Sequence, residues 1–428
     1  MNLKQMLISM GLSWTSLIEL IVLLIFFFFF RFWIFFLIFL AFLGFIGYKI
    51  WTLIKHQQLA SRDTIFNQGI PKIMKAAYYS NSWNKIIDFG DYLVPAITKD
   101  DELLIKVHAA SLNPVDYKIL YTRIPFYRWF IFPNLGIGKD FSGEVIKVGD
   151  KVTKYRVGDA VFGFSTMGSL QEYTIAKESW IHIIPDRVKF EQAASAPLAG
   201  CTSYQALSYY IINNNENIYN EFGSDPDLSG KNVLVIGASG GCGHFAIQIA
   251  KFLNANEVYG VCSQENCEII KNLGVCEDVF AYDSMDFEQN LENVLGKDGQ
   301  QRIDLILDTV SSREDGDVGK IYMKYLKEDG KYVALNSSSI FRFCAGLTRC
   351  IIPKLNLEGK VNHVHFLNRD DAKGLDVLSK MMDQGKIIFF TNGVYFEPQA
   401  IEEAIKILKS RRTKGKLVCN IIDENIII

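Results

Sequence analysis

Residues 233–251 read VLVIGASGGCGHFAIQIAK: an apolar run suited to a buried strand, a turn with four glycines in seven residues, then an amphipathic helix. Gly237, Gly240 and Gly243 recur at every third position, where a backbone must turn tightly and come close to a pyrophosphate. The helix starting near Gly243 directs unpaired N–H groups, and the positive end of its dipole, at such an anion. A second strand, 257–262, follows that helix, and a ligand-free turn between strand and helix needs no such run of glycines. The stretch therefore reads as a dinucleotide site, with Gly237, Ser239, Gly240, Gly241, Cys242 and Gly243 around the phosphates.

The end of the second strand bears on which nicotinamide fits. An NAD site usually places Asp or Glu there for the ribose 2′-OH, whereas this chain has Val261-Cys262-Ser263-Gln264, with Glu265 beyond. NADP(H) is the better match. Ser263 and Asn266 can donate to a 2′-phosphate, although neither adds charge, and Lys271 lies far along the following helix. Tyr282 either packs against the adenosine end or closes the next strand as a core aromatic.

Working outward, strand-like runs at 232–236, 257–262 and 303–307 alternate with helical patterns at 243–253 and 266–273, the signature of parallel βαβ units. Before them, short alternating runs at 75–79, 102–110, 143–148, 160–164 and 171–175 suit an all-β module. Residues 190–210 read as one helix, and the Asn-rich stretch after it as a polar loop. The 428 residues carry 45 basic and 47 acidic side chains, a net charge of −2, which gives no electrostatic reason to follow a nucleic-acid backbone. With 49% hydrophobic residues the chain can bury a core, so disorder is excluded as well. Eight cysteines without a CxxC pair read as reduced packing thiols, and the His363/His365 pair as structural, so no metal site is expected.

Twelve of the 31 phenylalanines fall between Phe26 and Phe66. Residues 17–48 read LIELIVLLIFFFFFRFWIFFLIFLAFLGFIGY, with only Glu19 and Arg31 charged. As a helix this run would extend roughly 48 Å, against a hydrocarbon core of about 30 Å. It is too long for a cleaved signal peptide, so it reads as a retained membrane anchor. Arg31 divides it, and two arrangements satisfy that: a span over 32–54 with Arg31 reaching the far interface, or a hairpin entering and leaving one leaflet. Lys4 precedes the run while Lys49, Lys55 and Arg62 follow it, which places the C-terminal bulk in the cytosol; the endoplasmic reticulum, lipid droplets and the mitochondrial outer membrane are not distinguished.

Several segments together carry a family resemblance: LLIKVHAASLNPVDYKIL (103–120), GIGKDFSGEVIKVGDKVTKYRVGDAVFG (136–163), GSLQEYTIA (168–176), AASAPLAGCTSYQAL (193–207), the GASGGCG loop and RRTKGKLV (411–418). In these the chain resembles the zinc-free, quinone-reductase-like branch of the medium-chain dehydrogenase/reductase superfamily, in particular its fungal membrane-associated members. The resemblance implies an α/β fold: a GroES-like β-barrel lobe plus a Rossmann lobe, here preceded by a transmembrane helical segment. It assigns 1–16 to an N-terminal tail, 17–54 to the anchor, 55–72 to a linker, 73–190 to the GroES-like lobe, 191–345 to the NADP-binding lobe and 346–428 to the return into the first lobe. Zinc-dependent relatives carry a GHE-type motif where this chain has Gly138-Lys139-Asp140, so hydride is expected to pass without zinc to a quinone, an enone or another lipophilic carbonyl. Asn113 matches the NPxD asparagine beside the nicotinamide; Asp116 shares the catalytic turn or holds it structurally; Lys118 is placed to stabilise a developing anion. Thr202 and Asn336 complete the cofactor contacts, and Leu335 stands where relatives often have glycine. Many relatives are dimers, which makes a homodimer the expected assembly. Other members of the branch serve as membrane-tethered scaffold or trafficking proteins without established turnover, the alternative to an enzyme.

Two further segments, YTRIPFYRWFIFPNL (121–135) and FRFCAGLTRCIIPKL (341–355), interleave aromatics with arginines. That mixture suits either a bilayer interface or the lid of a hydrophobic pocket.

Overall fold

The computed structural model describes residues 70–80, 87–120, 136–212, 226–296, 302–311, 318–335, 363–365 and 372–422. The chain divides into two compact units, Met1–Thr64 and Ile65–Ile428, and every described residue belongs to the second. The anchor segment 17–54, the aromatic segments 121–135 and 341–355, and Asn336 lie outside the described residues. Among those described, no helix is long and apolar enough to cross a membrane.

A two-stranded antiparallel ribbon, β1 (Ile73–Tyr79) with β2 (Ile87–Leu93), precedes a six-stranded sheet. That sheet is built from β3 (Glu102–Leu112), β4 (Asp140–Val148), β5 (Ala160–Ser165) and β6 (Tyr173–Ile183), and antiparallel pairing of β3 with β6 closes these four into a barrel. Its core is made of inward residues such as Leu103, Ile105, Phe141, Val145 and Val161, each fully buried. Burial of side chains of this size contributes about 1.5–3 kcal/mol apiece. The short helix α1 (Pro114–Leu120) leaves the end of β3.

The expected single helix over 190–210 is two: α2 (Phe190–Ala194) and α3 (Pro197–Ile212). Pro197 is the cause. Its ring supplies no N–H and clashes with a preceding helical turn, so it opens a new helix rather than continuing one.

The second sheet contains β7 (Asn232–Ile236), β8 (Glu257–Cys262), β9 (Asp278–Ala281), β10 (Ile303–Asp308), β11 (Leu326–Ala334) and β12 (His363–His365). All pairings are parallel and the order is β12-β11-β10-β7-β8-β9. The chain starts at the centre, winds outward one way, then returns to wind the other, which is the doubly wound dinucleotide-binding order. Alternation along β7 shows why it sits centrally: Val233 and Val235 face one apolar cluster, Leu234 and Ile236 another. Helices α4 (Gly241–Phe252), α5 (Gln264–Lys271) and α6 (Phe287–Leu295) supply the crossovers between these strands.

After α7 (Ala372–Asp383), the chain adds β13 (Thr391–Tyr395), α8 (Pro398–Ser410) and β14 (Lys416–Asn420). Strand β14 pairs antiparallel with β3 and parallel with β13, extending the first sheet. Helix α8 starts at a proline and buries Ile401, Ala404, Ile405 and Leu408, spaced as one helical face, in the barrel cluster. It ends at Arg411 in the left-handed region (φ 60°), which turns the chain into β14. The return delivers residues 414–416 beside the glycine loop.

Candidate active site and cofactor cleft

The glycine loop lies between β7 and α4, at the switch point where the strand order reverses. Gly237 adopts φ +82°, and its N–H and that of Ala238 donate to the Val261 carbonyl at 2.9 and 2.8 Å. A Cβ on Gly243 would stand 2.0 Å from the Gly237 carbonyl oxygen, so only glycine permits this closeness. Gly240 is the N-cap of α4 and no side chain caps the helix, leaving its first N–H groups for an anion. The residues present therefore fit a dinucleotide pyrophosphate. Burial pushes the Cys242 thiol up to about 11, which makes it a packing group here. His244 donates through Nδ1 to the Gly240 carbonyl at 2.9 Å; burial holds its pKa down at about 4, so the ring is neutral. Two outside elements grip the loop: Ser203 of α3 places its hydroxyl 2.8 Å from the Cys242 carbonyl, and the Gly415 N–H donates to the Ser239 carbonyl at 2.9 Å. Thr202, beside Ser203, is buried.

Facing this loop is a buried polar cluster of the barrel lobe. Asn113 precedes Pro114 at the head of α1, and the Asp116 carboxylate accepts the Asn113 backbone N–H at 2.7 Å, half of a capping box. The carboxylate thus holds the turn, and the Asn113 side chain is released from capping. Its Nδ2 donates to Asp140 Oδ2 at 2.9 Å, and Ser111 Oγ donates to the same oxygen at 3.0 Å. The Leu198 N–H donates to Asp140 Oδ1 at 3.1 Å, tying in α3. Lys416 donates to the Leu112 carbonyl at 3.1 Å and to Asn113 Oδ1, and its ammonium lies 3.7 Å from Asp140. Burial pushes the Asp116 carboxyl up to about 6, against the Asn113 N–H that favours its charged form; Asp140 raises it further and Lys416 opposes. Asp140 is raised by burial too, with Lys416 as the main opposing influence.

Lys118 is exposed on α1, and its charge is a minor influence against the burial that raises the Cys242 thiol. Asn113 is thus linked through Lys416, which follows Gly415, to the glycine loop, and Asp116 holds the turn that carries it. The reading from sequence did not assign Asp140 or Lys416. Both signals were present: each is a charged residue opening a strand whose next residues are wholly apolar or small, DFSG and KLVC.

At the other end of the loop, Ser263 is the N-cap of α5 without using its hydroxyl as a cap, and Asn266 Nδ2 donates to that hydroxyl at 2.8 Å. The Asn266 Oδ1 is buried with no hydrogen-bond partner among the described residues. Lys414 pairs with Glu265 at 3.3 Å, bringing a positive charge that the local sequence lacks. Lys271 sits in the last turn of α5, away from Ser263. Tyr282 is 56% exposed, so its ring is not a core aromatic; its N–H donates to the Cys262 carbonyl at 3.0 Å. Leu335 is half-buried against the central cluster and its N–H donates to the Asp308 carbonyl at 2.9 Å. No group of three or more metal-ligating side chains is assembled among the described residues.

Two family models match: the alcohol dehydrogenase GroES-like domain over residues 99–186 and the zinc-binding dehydrogenase domain over 241–339. Protein YIM1-2 of Lachancea thermotolerans is 29% identical over 390 residues, covering 85% of this chain and 99% of the relative. The chloroplastic NADPH-dependent alkenal/one oxidoreductase of Arabidopsis thaliana is 31% identical, over 74% of this chain and 76% of its own length. Among solved structures, the quinone oxidoreductase from Coxiella burnetii superposes with a TM-score of 0.63 at 28% identity, covering 82% of this chain and 99% of that one.

Proposed function

Because the chain belongs to the quinone-reductase-like branch of the medium-chain dehydrogenase/reductase superfamily, we propose that it is a membrane-anchored, NADPH-dependent oxidoreductase that reduces a quinone, an enone or another lipophilic carbonyl without zinc. The observation that carries this reading is the meeting of two half-sites. An uncapped, glycine-only anion loop on one lobe is hydrogen-bonded to the return segment that reaches Asn113 on the other.

The cofactor is NADP(H), which when bound supplies hydride from nicotinamide C4. Gly237, Ser239, Gly240, Gly241, Cys242 and Gly243 form the pyrophosphate cradle. Ser263 and Asn266 take the 2′-phosphate, an assignment supported by the serine hydroxyl, which accepts from Asn266 Nδ2 at 2.8 Å and keeps its own hydrogen to donate, and Tyr282 lies open for the adenosine. Asn113, together with Thr202, orients the nicotinamide end. Asn336 is proposed to join it from the segment after β11. Lys118 is assigned to the negative charge that develops on the acceptor oxygen. Asp116 acts by holding the turn that presents Asn113. For the absence of zinc the support is chemical: Asp140, within the Gly138-Lys139-Asp140 segment, is committed to Ser111, Asn113 and Lys416.

The run over 17–54 would place the enzyme on a bilayer with its lobes in the cytosol, where a lipid-soluble acceptor is concentrated. A homodimer is the assembly expected. The test uses the full chain in detergent or nanodiscs: NADPH titrated by fluorescence, then its oxidation followed with a panel of quinones and enones. Tight binding without oxidation of NADPH by any acceptor would replace this reading with that of a tethered scaffold.

A further inference from the structure

An asparagine amide has one acceptor oxygen and two donor hydrogens. In Asn113 the oxygen receives Lys416 Nζ, and the nitrogen donates to Asp140 Oδ2 at 2.9 Å. An ammonium can only donate and an ionised carboxylate can only accept, so turning the amide over would set N–H against N–H and oxygen against oxygen. Charge on both sides therefore fixes the orientation. With its oxygen and one hydrogen engaged, Asn113 retains a single N–H among the described residues. Lys416 is itself set by the glycine loop. It follows Gly415, whose N–H donates to the Ser239 carbonyl, and its stem packs so closely that a Cβ on Gly241 would stand 3.1 Å from the Lys416 Cδ.

We propose that Lys416 is a positioning residue: it locks the Asn113 amide so that the asparagine presents its one remaining N–H, which recognises an acceptor oxygen on the nicotinamide-ribose half of the dinucleotide. The choice of that half follows from place. Lys416 joins Asn113 to the start of α4, whereas the residues assigned to the adenosine half, Ser263 and Asn266, follow β8. The inference rests on the reading of this cleft as the NADP(H) site and is independent of the hydride acceptor.

The test is a binding experiment on the full chain, comparing NADPH with 2′,5′-ADP, which lacks the nicotinamide half. The double variant K416M/D140N removes ammonium and carboxylate together, so that pair leaves no lone buried charge and the amide can turn over. NADPH binding is expected to weaken about tenfold, the worth of one hydrogen bond, and 2′,5′-ADP binding to stay within about twofold. Asn113→Ala should reproduce the loss, and adding it to the double variant should weaken NADPH no further, because both act through one contact. Asp140→Asn alone, which leaves Lys416 holding the amide oxygen, should keep most of the NADPH affinity. Unchanged NADPH binding in the double variant, equal loss of both probes, or additive losses would overturn the proposal. Should the double variant fail to fold, Asn113→Ala still decides it: selective loss of NADPH upholds the contact, and unchanged NADPH binding or equal loss of both probes overturns it. A wild-type chain that binds NADPH but reduces no quinone or enone would sink the reductase reading alone.

Discussion

Asp140 and Lys416 meet at 3.7 Å with side chains 0% and 4% exposed, one at the start of β4 and the other at the start of β14. A buried ion pair of this kind gains little over a well-packed apolar pair, but breaking it leaves an uncompensated charge. Lys416→Met alone should therefore destabilise the fold by about 3–5 kcal/mol. The K416M/D140N variant should recover most of that loss. Chemical denaturation of the three proteins checks the ordering.

The close approach of Gly243 to the Gly237 carbonyl gives a second outcome. A methyl group there has no space, since the contact would be 2.0 Å against backbone. Gly243→Ala must displace the loop, and NADPH affinity should fall at least about tenfold, as expected when several charge-assisted backbone contacts are misplaced together. Fluorescence titration measures it directly.

Asp116 gives the pH dependence. Its carboxyl is raised to about 6 in the folded chain, above its value of 3.8 in the unfolded one, chiefly by burial. The folded state then binds the proton more tightly, so this contribution is fully present below the unfolded value and is lost as pH rises through about 6. At about 1.4 kcal/mol per pKa unit the loss is at most about 3 kcal/mol. Asp140 is displaced in the same direction. Urea midpoints measured across this window should fall with rising pH in the wild type and change less in Asp116→Asn.

Ser263 and Asn266 should discriminate between the two nicotinamide cofactors. Replacing both with alanine removes hydrogen bonds to a charged 2′-phosphate, each worth about 1.5–3 kcal/mol. NADPH should weaken several-fold or more while NADH stays within about twofold. Equal loss of both would place the phosphate elsewhere.

Deleting residues 17–54 should move the protein from the carbonate-resistant membrane fraction to the supernatant. In intact cells or sealed organelles carrying the full chain, protease applied from the cytosolic side should digest the C-terminal bulk. Protection from that side would reverse the orientation inferred from Lys4, Lys49, Lys55 and Arg62.

Much of this molecule is local, and what is local was legible. The glycine spacing from Gly237 to Gly243, between a strand and a helix, specifies a turn and an anion cradle within one short stretch, because both depend on backbone sterics between near neighbours. The split of the helix at Pro197 was a local signal too, missed because apolar and small residues run on without a break on both sides of it. Strand β2, IDFGDYL, carries two acids and a glycine, and forms because β1 pairs with it along its whole length rather than because its residues favour a strand.

The chemistry of the cleft is different in kind. The sequence by itself determined the dinucleotide loop, the absence of an acid at the end of β8, and the asparagine of the NPVD turn. Only the tertiary structure decided what surrounds that asparagine: Lys416, 303 residues away, on its oxygen and Asp140, 27 residues away, on its nitrogen. Hydrophobic patterning carries no record of which charges are buried together. That is settled when the return strand β14 pairs with β3 and excludes water from both partners, since a charge so buried is tolerable only where an opposite charge already waits.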